Sequence, residues 1–284
     1  MSAAVITVAH GRHGHLRRQE EAIARLDPPA DHRIVVALDD PAITSVTRPD
    51  TVVVEQAVAA DGLPLAAARN AGAATARAFG ADLFVFLDVD CLPAPGLIQA
   101  YRQASGQLAS QPSLLSGPVA YLPPPPADGY DLNDLDQHPF HSGRPAPGPG
   151  ELVSGGDHRL FWSLNFAVSR IVWDRIGGFC EDYRGYGAED TDFAMLARSA
   201  GVDLAWVGGA AAYHQWHPTT NPPRQHLDDI LRNGSTYAQR WGTWPMEGWL
   251  EAFAEQGLIR RTGDGWVRVE PAYAAASEVA DDQK

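Results

Sequence analysis

The sequence predicts an α/β protein built on a mixed, mainly parallel sheet flanked by helices. Three observations lead there. Short β-branched runs alternate with helix-spaced segments along the first third of the chain. Those runs end in polar, glycine- or aspartate-containing loops, as strands of a parallel sheet do at the edge where ligands sit. At 284 residues and 45% hydrophobic content, the chain can also bury a full core without disulfides.

Residues 4–9 (AVITVA) read as a strand running into HGRHGH, and LRRQEEAIARL then spaces Leu16, Ile23 and Leu26 as one helix face. RIVVALDD at 33–40 and TVVVEQ at 51–56 are two further strands. The alanine-rich LPLAAARNAGAATARAFG at 63–80 is a helix with Gly80 as its stop, followed by the strand-like DLFVFLDVD. Residues 122–150, rich in proline and glycine, read as a long mobile loop, because β/α texture resumes beyond them. RLFWSLNFAVSRIVWDRIGGF is a strand and short helix closed by a Gly-Gly turn, and AEDTDFAMLARSAG is a helix with an acidic first turn. VDLAWVGGAAAYHQWH is a strand with a return segment, and PPRQHLDDILRNGSTYAQRWG a long helix entered through prolines. These make one domain over residues 1–242, followed at 243–284 by a C-terminal extension of helix, hairpin and acidic, frayed tail.

Thirty-five acidic against 22 basic residues give a formal charge of -13, which argues against a general affinity for nucleic acid or anionic lipid. A polyanionic ligand would have to be held locally, by a metal or a few placed cations. The two cysteines, Cys91 and Cys180, form no CxxC pair, and no run approaches the length of a membrane span. The start of the chain lacks the order of a signal peptide, so the expectation is a cytoplasmic protein without a transmembrane segment.

Chemistry concentrates in four places. Asp88-Val89-Asp90 closes a buried strand, where two carboxylates one residue apart can meet a hard cation; the rival reading is a turn with Asp88 capping and Asp90 solvated. In RGYGAEDTDF, glycines 185 and 187 let backbone approach a ligand, and Glu189-Asp190 lie at a helix N-terminus, where they serve either as proton acceptor or as caps. His214 and His217 are spaced for a metal such as manganese, iron or zinc, or are polar surface. Arg69-Asn70 offers a phosphate- or ribose-binding pair, or decorates a solvated helix face.

Taken in order, AARNAG, FLDVD, SLNFAVSRIVWDRIGGFCEDYRGYGAEDTDF and the histidine segment resemble a GT-A-fold glycosyltransferase of the family 2 type, from about Val5 to His217. A looser likeness to the β-1,4-galactosyltransferase group lies in the acidic motif and in the G-[aromatic]-G-x-E-D run. The resemblance implies a Rossmann-like nucleotide-binding fold and transfer of a sugar from a nucleoside diphosphate to an acceptor hydroxyl, with inversion. It implies Asp90 and His217 as metal ligands, with His214 and Asp88 beside them, and Asp190 as catalytic base with Glu189 binding the acceptor. It further implies Arg69, Asp39, His10 and Arg12 as nucleotide contacts and Trp162 and Tyr186 as aromatic platforms for sugar rings. The implied cofactor is a divalent cation, Mn2+ before Mg2+, and the implied donor a UDP-sugar before a GDP-sugar; nothing here fixes the oligomeric state.

Two other readings compete. A non-catalytic nucleotide-sugar or glycan-binding module would bind without transfer. A sugar nucleotidyltransferase would need a lysine-bearing glycine-rich loop, and VAHGRHGH has no lysine. Cys91 as a nucleophile is disfavoured by the carboxylates beside it.

Overall fold

The computed structural model describes residues 1–263 and 265–269. The early β-branched runs become β1 (Ala3–Ala9), β2 (His32–Leu38), β3 (Val52–Gln56) and β4 (Leu83–Leu87), with α1 (His13–Ile23) and α2 (Leu65–Ala78) in the connections. The strands β1, β2 and β4 are almost continuously buried, as strands covered on both faces are. Gly72 shows how closely α2 lies on the sheet, since a Cβ there would come within 2.4 Å of Ile6 Cγ2.

Next come β5 (Cys91–Pro93), α3 (Leu97–Gln107), β6 (Ser113–Ser116) and β7 (Val119–Tyr121). Of these, α3, β6 and β7 have no counterpart among the sequence expectations; the strands are too short to display a period. β8 (Leu152–Val153), β9 (Asn165–Ser169), α4 (Arg170–Ile176), α5 (Glu189–Ser199), β10 (Asp203–Val207) and β11 (Ala212–His214) complete the first unit.

The main sheet has eight strands in the order β3-β2-β1-β4-β9-β6-β10-β8. The β9 strand runs antiparallel to β4 and β6, and β8 antiparallel to β10, while the remaining pairs are parallel. A second sheet, β5-β11-β7, pairs β11 antiparallel to β5 and parallel to β7. The consequence is positional. Loops 10–12, 39–40 and 88–90 leave the carboxyl ends of β1, β2 and β4 on one edge, and reversed β9 brings its amino end to the same edge.

Beneath that edge Phe86 stacks on Phe166 at 4.6 Å and Phe179 on Phe193 at 4.1 Å, with Trp173 against both pairs. Full burial of such a ring contributes about 1.5–3 kcal/mol, enough to fix α5 and the Gly-Gly-Phe turn against the sheet.

Two expectations need correction. Residues 122–150 are not a structureless loop: Leu122, Leu135 and Arg144 are buried, a 3-10 turn spans Leu135–Gln137, and Phe140 bridges to Ala120. The composition hides this because each anchor is a single side chain. The chain also divides earlier than the 242/243 boundary. Compact units meet at Thr219/Thr220, because Leu227 and Ile230 of α6 (Leu227–Trp241) bury with Leu250 and Phe253 of α7 (Glu247–Glu255) and with Ile259. Ile259 opens the expected hairpin, β12 (Ile259–Thr262) with β13 (Gly265–Arg268). The acidic tail at 270–284 lies outside the described residues. Among those described, no helix is long and apolar enough to cross a membrane.

Candidate active site

The strand β4 ends at Leu87, and the chain turns at once, with the Cys91 amide donating to the Asp88 carbonyl at 2.9 Å. In this turn the two carboxylates meet different partners, Asp88 the Arg69 guanidinium and Asp90 the two imidazoles.

Asp90 goes toward β11. Antiparallel pairing places His214 opposite Cys91, and the Gln215 amide donates to the Asp90 carbonyl at 2.7 Å. Asp90 Oδ1 is then 3.4 Å from His214 Nε2 and Oδ2 is 3.5 Å from His217 Nε2. One ligand atom from each lies within 4.8 Å of the others. Two donors each about 2.1 Å from a common ion sit roughly 3–4 Å apart, so the spacing fits a first coordination shell. Two imidazoles and one carboxylate suit manganese, iron or zinc better than calcium. Burial alone would raise the pKa of Asp90, but the hydrogen bond from His217 and the charges of both histidines and Arg12 hold it below the ordinary value. The His217 ring is raised by that hydrogen bond, whereas burial lowers His214.

Asp88 goes the other way and is absent from this ligand group. Its Oδ1 accepts from Arg69 Nη2 at 3.1 Å, while Arg69 Nη1 donates to Glu189 Oε1 at 3.1 Å. Burial raises Asp88 to about 6, partly countered by Arg69. Arg69 thus does not decorate a solvated helix face. It is a buried brace, 5% exposed, joining the turn after β4 to the first turn of α5. Asn70 beside it accepts from the Phe179 amide and donates to the Phe179 carbonyl and Glu181, tying α2 to the Gly-Gly-Phe turn.

The α5 helix begins after three left-handed residues, Gly185 (φ 69), Gly187 (φ 95) and Ala188 (φ 74), a path only the glycines adopt without strain. It presents Glu189 and Asp190 side by side. Burial, then the neighbouring Glu189 charge, raises Asp190 to about 7 despite the hydrogen bond from the Thr191 amide. A carboxylate with that pKa can take up a proton near neutrality. Glu189 is 7% exposed, and its Oε2 has no hydrogen-bond partner among the described residues.

The first-loop residues divide. His10 Nδ1 meets the Leu38 carbonyl at 2.7 Å, and Asp39 (φ 43) accepts from the Val58 amide at 2.9 Å, so both tie strand ends together. Arg12 is exposed, also left-handed, and close enough to influence His214 and His217. Tyr186 is 37% exposed beside the acidic pair, which with burial raises its pKa. Trp162 is half-buried, with the Arg144 guanidinium 4.3 Å from its ring centre and His141 5.1 Å from it. One face of the expected sugar platform is therefore already in use.

Sequence reasoning missed several groups. Asp40, not Asp39, holds the first loop, accepting from the Gly11 amide at 2.7 Å and His13 at 2.8 Å. Gln19 on α1 braces the turn from below, donating to the Asp88 and Cys91 carbonyls. Its signal was available: a polar residue three positions after Leu16 on the inward face. Arg144, inside the long loop, is 7% exposed, and neither Nη1 nor Nη2 has a hydrogen-bond partner among the described residues. A buried, unpaired guanidinium is several kcal/mol unfavourable. Cys91 is buried, its thiol pKa pushed well up by burial and the aspartates, so it stays protonated. Beside His217 opens a cleft of about 380 Å³ lined by His15, Tyr130 and Trp216.

No protein-family model matches the chain. It is similar to the validoxylamine A glucosyltransferase of Streptomyces hygroscopicus subsp. limoneus, 26% identical over 227 residues that span 70% of this chain and 48% of that protein. The protein of the same name from S. hygroscopicus subsp. jinggangensis (strain 5008) is 27% identical over 162 residues, 50% of this chain and 37% of that one. The chain spans less than half the length of these curated relatives. Among solved structures, S. aureus TarS 1-349 in complex with UDP-GlcNAc superposes with a TM-score of 0.53 at 16% identity, covering 78% of this chain and 60% of that one. GalNAc-T7 with UDP, GalNAc and Mn2+ gives 0.50 at 14%, covering 76% and 44%. The fold is the GT-A type of glycosyltransferases.

Proposed function

We propose that the protein is a metal-dependent glycosyltransferase that moves a sugar from a UDP-sugar to an acceptor hydroxyl, with inversion at the anomeric carbon. The observation that carries this is the ligand group Asp90, His214 and His217, assembled from two chain segments at the edge where such sheets bind nucleotides. The relatives named glucosyltransferase and the neighbours crystallised with UDP or UDP-GlcNAc support the donor class. The neighbour that holds Mn2+ supports manganese over magnesium, as does the nitrogen-rich ligand set.

Asp90, His214 and His217 hold the cation, which when bound neutralises the charge that develops on the departing diphosphate. Asp190 removes the acceptor's proton. Its Oδ1 is fixed by Thr191, so the second oxygen is the one to receive it. Glu189 orients the acceptor through its unpaired Oε2, and Arg69 keeps Glu189 in place while holding Asp88 away from the ion. Attack on the face opposite the diphosphate inverts the anomeric centre. Arg12, with the strand ends fixed by His10 and Asp39, borders the nucleotide, and Tyr186 and the open face of Trp162 border the sugar. The family 2 likeness of residues 163–193 agrees with this assignment.

The test is donor hydrolysis by a panel of UDP- and GDP-sugars with Mn2+. At least one UDP-sugar should be hydrolysed, with loss on chelation and in Asp90→Ala. Binding without any hydrolysis or transfer would instead favour a non-catalytic module.

A further inference from the structure

Between Leu135 and His158 the chain buries one side chain, and that side chain is a cation. Ser142, Gly143 and Pro145 around Arg144 are exposed. Loops anchor themselves with apolar groups more readily, since a guanidinium surrenders hydration that only acceptors replace. Arg144 has none among the described residues. Its surroundings are aromatic, with Trp162 at 4.3 Å and Trp206 at 6.0 Å, and ring contacts return less than the lost hydrogen bonds. Ser116, the cross-strand partner of Trp206, is fully buried, and its Oγ is likewise unmatched.

We propose that Arg144 is the counter-charge for an anionic group, carboxylate or phosphate, carried by a sugar substrate. This rests on the glycosyltransferase reading above and narrows its substrate class to a charged sugar. The planar fork of a guanidinium matches two oxygens of either group. Ring contacts link the ligand group to this guanidinium, His214 to Tyr121 at 4.7 Å, Tyr121 to His141 at 5.6 Å, His141 to Trp162 at 5.1 Å and Trp162 to Arg144 at 4.3 Å. The unchanged UDP affinity expected of the Arg144 variants below separates this anion from the donor's diphosphate. The turn that carries Arg144 is lightly closed, by Arg144 N to His141 O at 3.4 Å and Gly143 N to His141 Nδ1 at 3.1 Å.

The anion can enter on the donor sugar or on the acceptor, and calorimetric titration of the full chain separates them. With Mn2+, UDP-glucose is compared with UDP-glucuronic acid; with and without UDP and Mn2+, glucose is compared with glucuronate and glucose 6-phosphate. One charged probe should bind at least tenfold more tightly than its neutral counterpart. That preference should vanish in Arg144→Met and survive in part in Arg144→Lys, with UDP affinity unchanged in both. Equal binding of charged and neutral probes by the wild type, or a preference that persists in Arg144→Met, overturns the proposal. UDP binding without charge preference refutes only the Arg144 assignment. Absence of UDP binding refutes the glycosyltransferase reading, while the titrations of free glucuronate and glucose 6-phosphate still report on Arg144.

Discussion

Two of the buried arginines, Arg33 and Arg144, are treated in opposite ways. Arg33 on β2 is fully provided for: Nε donates to Glu20 at 2.8 Å, Nη1 to Thr7 at 2.7 Å and Nη2 to Gln19 at 2.7 Å. The second oxygen of Glu20 is held by Thr51 and the Arg48 amide, so the network closes on itself. Arg144 has aromatic faces and, among the described residues, no acceptor for Nη1 or Nη2, and Glu189 keeps one oxygen unmatched among them. A closed polar network is scaffolding, since nothing remains for a ligand to satisfy. An open one marks where a ligand completes the structure.

The comparison can be broken at several points. Asp190→Asn should lower turnover by about 10²–10⁴-fold, the usual range for a general base, while UDP affinity measured by calorimetry stays within about twofold. Near-wild-type turnover would end the base assignment. On the scaffold side, Arg33→Met strands a buried carboxylate and should lower unfolding free energy by about 3–5 kcal/mol in urea. Adding Glu20→Leu should restore most of it, with activity per folded molecule unchanged throughout.

A pH series sharpens the contrast. Asp190, raised to about 7, must be ionised to accept a proton, so turnover should climb as pH rises through about 7. The same group binds its proton more tightly folded than unfolded. Its contribution to stability is greatest below about pH 4, falls as pH rises toward 7 and then levels. In Asp190→Asn the part of the decline nearest pH 7 should disappear from urea midpoints taken across the range, leaving the part that Asp88, raised to about 6, contributes. The smallest effect is expected from Gly72→Ala, where overpacking against Ile6 should cost about 1–2 kcal/mol in urea and leave UDP affinity untouched.

Strands long enough to display β-branched runs, and helices with clear stops, were legible in the sequence, and they fix the edge where ligands sit. The short β6 and β7 were not. At the site, Asp90, His214 and His217 could be named because the order of motifs resembles the GT-A glycosyltransferases, whereas D-x-D and a histidine pair alone left the metal reading open; the fold brings the three together. Asp88 could be placed at the strand end but not on its partner, because its bond to Arg69 depends on a helix distant in sequence. Arg69 and Arg144 escaped for the same reason: whether an arginine is solvated, braced or stranded depends on partners distant in sequence, Glu189 in one case and Trp162 in the other.

Manganese binding followed by electron paramagnetic resonance, with and without UDP, bears most directly on the ligand group. The account predicts one Mn2+ per chain in the presence of UDP, with affinity at least tenfold weaker in Asp90→Ala and in His217→Ala. Unchanged Mn2+ and UDP affinity in both variants would contradict it.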